Sequence, residues 1–68
     1  MNYIQNCIRG KATEKDFDRY VNEWLMTTTG KRLPEFLGMT ESAYQTIMQY
    51  NPGEQREQAI RQVINTYR

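Results

Sequence analysis

Residues 33–48, LPEFLGMTESAYQTIM, contain two helix starts separated by one stop. Leu33 and Leu37 lie one helical turn apart, and Pro34 fits only in a first turn, where its missing N–H has no helical partner. Gly38 closes this short helix. Thr40 is a good cap for the next one, with Met39 and Tyr44 placed as a hydrophobic staple across it. Ala43, Tyr44, Ile47 and Met48 then share a face. Two helices packed across a tight glycine turn are the expected local structure.

Upstream the pattern stays helical. Phe17, Tyr20, Val21, Trp24 and Leu25 recur at i, i+3, i+4, i+7 and i+8, which makes one broad apolar stripe. Asp16, Asp18, Arg19, Asn22 and Glu23 cover the other faces. Thr13 reads as the N-cap, with Glu14 and Asp16 favoured beside the positive end of the helix dipole. The threonines 27–29 and Gly30 end the segment, because threonine lowers helix propensity and glycine breaks it. Residues 2–9 place Tyr3, Ile4, Cys7 and Ile8 on one face, and Gly10 follows as a C-terminal stop. Downstream, Asn51, Pro52 and Glu54 read as N-cap, first-turn proline and reciprocal glutamate. The last helix is expected to run to about Tyr67, with Ala59, Ile60, Val63, Ile64 and Tyr67 on one side. No segment alternates with period two. The expected fold is all-α, a compact four- to five-helix domain spanning residues 1–68 and containing a helix-turn-helix-like unit.

Composition limits the chemistry. There is one cysteine and no histidine, so neither an intrachain disulfide nor a histidine-activated nucleophile is available, and a structural zinc site is not expected. Cys7 falls on an apolar face and reads as a small core residue. The paired acids Asp16 and Asp18 read as solvated helix surface, and the four glycines are scattered rather than gathered into a phosphate-binding loop. We therefore expect no enzyme activity, no metal and no cofactor. Nine basic and eight acidic residues give a net charge of +1, which is no electrostatic footprint for nucleic acid or an anionic membrane. No apolar run reaches membrane-spanning length, and residues 1–10 lack the pattern of a signal peptide. A soluble cytoplasmic protein is expected.

The segment from Leu33 through Gly38, Met39 and Thr40 to Tyr44 and Ile47 resembles the helix-turn-helix of phage-repressor-like regulators. That resemblance implies DNA binding, with Ser42, Gln45 and Gln49 facing bases and Lys31 and Arg32 facing phosphates. The would-be recognition helix, residues 40–50, carries Glu41 and no lysine or arginine. DNA affinity grows with phosphate neutralisation, with a log–log salt slope of about −0.9 per contact, so this composition favours a protein partner over DNA.

Residues 16–44 are also similar to short uncharacterised proteins of bacterial phages and integrative elements. The resemblance rests on Asp18-Arg19-Tyr20-Val21-Asn22-Glu23-Trp24, followed by Leu33, Glu35, Phe36, Leu37, Gly38, Met39, Thr40 and Tyr44. Those proteins tend to carry a tryptophan where this chain has Ile47. The resemblance implies a mobile-element setting inside a bacterial host cell. Five tyrosines, two phenylalanines and a tryptophan make the chain rich in aromatics. Most are explained by the apolar stripes, whereas Tyr50, Met26 at the end of its helix and Tyr67 at the end of the last stripe are the least well explained and are the expected partner-binding residues. The expectation is a small non-enzymatic regulatory or inhibitory protein that binds a protein partner. A DNA-binding regulator and a phage structural or assembly component are the alternatives.

Overall fold

A computed structural model describes residues 2–68. Five α-helices succeed one another: α1 (Tyr3–Ile8), α2 (Phe17–Met26), α3 (Leu33–Leu37), α4 (Glu41–Met48) and α5 (Glu54–Thr66). Among the described residues there is no strand, and the fold is all-α. The connections are short, as is usual between packed helices.

Each helix start follows from local chemistry. Asn2 caps α1 in a reciprocal box: its Oδ1 accepts the Gln5 N–H at 2.8 Å, and the Gln5 side chain accepts the Asn2 N–H at 3.1 Å. Thr13 and Asp16 repeat the device around a 3₁₀ turn, Glu14–Asp16, which leads into α2. The cap at Thr13 is therefore where the sequence places it, while the α-helical part begins at Phe17. In α3, the Gly38 N–H bonds the Glu35 carbonyl and the Met39 N–H bonds the Pro34 carbonyl, a double closure that requires Gly38 at φ +90°. Thr40 then caps α4 by accepting the Ala43 N–H at 3.1 Å.

The start of α5 departs from expectation. Its cap is Gly53, not Asn51, and no side chain caps its first turn. Gly53 sits at φ +145° and ψ −163°, a conformation open essentially to glycine alone, so the chain turns there and Pro52 stays outside the helix. The Arg56 Nε donates to the Tyr50 carbonyl at 2.9 Å and ties the new helix back to the end of α4.

Tyr3 anchors the core. Its ring is fully buried, edge-on to Phe17 at 5.9 Å and tilted against Tyr20 at 4.9 Å. Its hydroxyl donates to the Thr13 carbonyl at 2.7 Å, so the one polar atom of the ring is satisfied. Phe17, Leu37, Ile47 and Ile60 complete the fully buried set, with Ile4, Met39, Val63 and Ile64 around them. Three residues read as part of apolar stripes lie outside instead: Ile8, Leu25 and Met48 are exposed. Each sits in the last turn of its helix, where the chain is leaving the core. A domain this small buries only about 60% of its unfolded surface, so the ends of its stripes stay uncovered.

Candidate interaction surface

α4 and α5 form an antiparallel pair. The start of α4 meets the end of α5 where the Thr40 N–H donates to the Tyr67 hydroxyl at 3.0 Å. The end of α4 meets the start of α5 at the Arg56–Tyr50 bond. Between the two helices runs a groove in two sections. One, about 330 Å³, includes Thr40, Ser42, Ala43, Thr46, Val63, Thr66 and Tyr67. The other, about 210 Å³, includes Tyr50, Gln55 and Gln58. Thr46, Ala59 and Gln62 line both and make the groove continuous. Tyr67 and Tyr50 stand at its two ends, 37% and 38% exposed.

No charged side chain lines this groove, although a quarter of the chain is charged. The helical period explains the separation. Gln55, Gln58, Gln62 and Thr66 follow one flank of α5 at i, i+3, i+7 and i+11. Glu57 and Arg61 lie on the opposite flank, paired with Lys15 at 3.3 Å and Glu14 at 3.2 Å. Ala43, Ala59 and Thr46 are small, which leaves the depression between the helices.

Tyr50 and Tyr67 thus belong to one surface. Met26 does not line it: at the end of α2 it is 88% exposed, beside Leu25 at 66%. Tyr67 also has a structural task, since its hydroxyl is the partner of a backbone N–H at the α4 cap.

Of the residues read as DNA contacts, Ser42, Gln45 and Gln49 follow one face of α4 at i, i+3 and i+7, whereas Lys31 and Arg32 precede α3. Ser42 lines the groove, with its carbonyl accepting the Thr46 hydroxyl at 3.0 Å. Gln45 and Gln49 are exposed on α4. Arg32 pairs with Glu41 at 3.0 Å on the surface. Lys31 borders a separate hollow with Asn2, Gln5, Glu35 and Phe36, and its carbonyl accepts the Trp24 indole N–H at 2.8 Å. The exposed face of α4 carries no cation of its own.

Sequence reasoning missed Thr46, Gln55, Gln58, Gln62 and Thr66. The signal was present as a stripe of amides and hydroxyls free of charge, in a helix whose other flank is charged. Polar residues at helical spacing read as ordinary solvated surface until a neighbouring helix turns them into a wall.

A second hollow, about 290 Å³, lies beside Cys7 and is bordered by Glu14, Arg61, Asn65 and Arg68. Burial pushes the Cys7 thiol up from its ordinary value, so it remains protonated near neutral pH. Burial likewise raises the Tyr3 phenol far above the usual tyrosine range. Among the described residues no group of three or more histidine, cysteine, aspartate or glutamate side chains is placed to hold a metal ion. No described helix is long and apolar enough to cross a membrane.

Comparison of the chain with protein-family models, with curated proteins and with solved structures returned no match.

Proposed function

We propose that this is a small non-enzymatic regulatory or inhibitory protein of a phage or mobile element, acting in the bacterial cytoplasm by binding a protein partner. The observation that carries the reading is the charge-free α4–α5 groove closed at each end by a half-exposed tyrosine. Centres of protein–protein interfaces are depleted in charge and enriched in tyrosine, whereas nucleic-acid surfaces are lined with cations. The similarity of residues 16–44 to short phage and integrative-element proteins supplies the setting. A buried, protonated thiol and surface acids held in ion pairs are poor material for catalysis.

DNA reading has less support. Glu41 and Arg32 pair with each other, and the face of α4 that carries Ser42, Gln45 and Gln49 holds no cation.

A photo-cross-linking side chain in place of Gln58, an exposed groove residue, tests the proposal in bacterial cells. The expected result is a discrete protein adduct that is absent when the same probe replaces Lys11, which lies outside the groove. Adducts with DNA alone, or none from either position, would overturn it.

A further inference from the structure

We infer that the groove is filled by a second copy of this chain, with two α4–α5 hairpins packed face to face about a twofold axis. This rests on the groove being a protein-binding surface and names what it binds.

The reasoning starts from symmetry. A twofold contact is isologous, and residues near its axis meet their own counterparts. A charged residue there would face its like. Glutamine, serine and threonine both donate and accept hydrogen bonds, so each can pair with itself. The groove consists of such residues over a floor of Ala43, Ala59 and Val63. Thr46 is in the second half of α4 and Gln62 in the second half of α5, and both line the two sections of the groove. An axis crossing the helices at these residues sets α4 on α4 and α5 on α5 as a four-helix bundle. It also brings Tyr50 of one copy to the Tyr67 end of the other. A foreign partner recognised through opposite charge would find nothing to read here. Of the charged residues of α5, Glu57 and Arg61 are engaged on its far flank with Lys15 and Glu14, and Arg56 is tied to the Tyr50 carbonyl.

Sedimentation equilibrium of the whole chain gives the test. The mass is expected to rise from the 8.1 kDa of one chain towards twice that value. It should do so by a concentration of about 1 mM, the weak end of specific association. Gln62→Arg and Thr46→Arg, both at exposed positions, should keep the helical circular dichroism and raise the dissociation constant by more than about tenfold. Mixing Gln62→Arg with Gln62→Glu should restore the dimer as a mixed pair. A mass fixed at one chain throughout, or arginine variants that pair as well as the parent, would overturn the inference. If that happens while the probe at position 58 still captures a different protein, self-pairing fails and the protein-binding proposal stands. A groove-dependent dimer that captures no other protein would support self-pairing and move any further partner to another surface.

Discussion

Gly38 shows how one residue joins distant parts of the chain. Its left-handed backbone ends α3, and a Cβ there would run into the side chain of Asn2, the cap of α1. Gly38→Ala therefore combines the cost of an L-residue at positive φ with the loss of a cap, about 2–3 kcal/mol together. Gly10 also has positive φ but open space around it, so Gly10→Ala should cost only about 1 kcal/mol. Urea unfolding of the two variants checks the difference, and equal losses would mean that the Asn2 contact contributes nothing. Asp16 gives a pH signature. The Thr13 N–H, bonded to its Oδ2 at 2.9 Å, holds its carboxyl below the usual value, with Arg19 assisting. A depressed folded value stabilises above the unfolded one, about 3.9, and that contribution is lost as pH falls through the folded value. Melting temperatures should show no Asp16-dependent change between neutral pH and about pH 5, then fall more steeply in the parent than in Asp16→Asn below about pH 4. Cys7, buried and protonated, should react with a thiol reagent at pH 8 only as fast as the chain opens, so mild denaturant should accelerate labelling sharply.

At the scale of elements, the end of α5 is fastened to the start of α4 by the Tyr67 hydroxyl and the Thr40 N–H. Tyr67→Phe keeps the ring and removes this bond, which should cost about 1 kcal/mol and lower the melting temperature by about 4–8 °C. A variant melting with the parent would show that water replaces the hydroxyl without loss. The helices themselves were legible because their apolar periods and their caps agree. Thr13, Pro34, Gly38 and Thr40 all act where their local chemistry puts them. Asn51 misled because asparagine followed by proline is a sound helix start considered alone. The tie from Arg56 to the Tyr50 carbonyl, together with the freedom of Gly53, moves the start to Glu54, and the side-chain part of that tie leaves no trace in the spacing. Leu25 and Met48 misled for a different reason. Periodicity gives the direction of a face but not how far a neighbour extends to cover it.

For the whole molecule, the core is small and fully apolar, and the surface divides into charged faces and one uncharged groove. The all-α fold could be read from the sequence because it depends on contacts within each helix. The groove could not, because it exists only where α4 and α5 lie side by side. The apolar stripes leave Tyr50 and Tyr67 least well explained, and the groove between them gives both a place. Met26 shares that standing in the sequence but stands apart with Leu25 at the end of α2. Those two surfaces offer competing sites of contact. Amide chemical shifts in ¹H–¹⁵N spectra, followed as the protein is concentrated, separate them directly. Self-pairing through the groove predicts shifts concentrated at Thr46, Tyr50, Gln58, Ala59, Gln62 and Thr66, with Leu25 and Met26 unmoved. Shifts centred on Leu25 and Met26, or spectra that do not change with concentration, would contradict it.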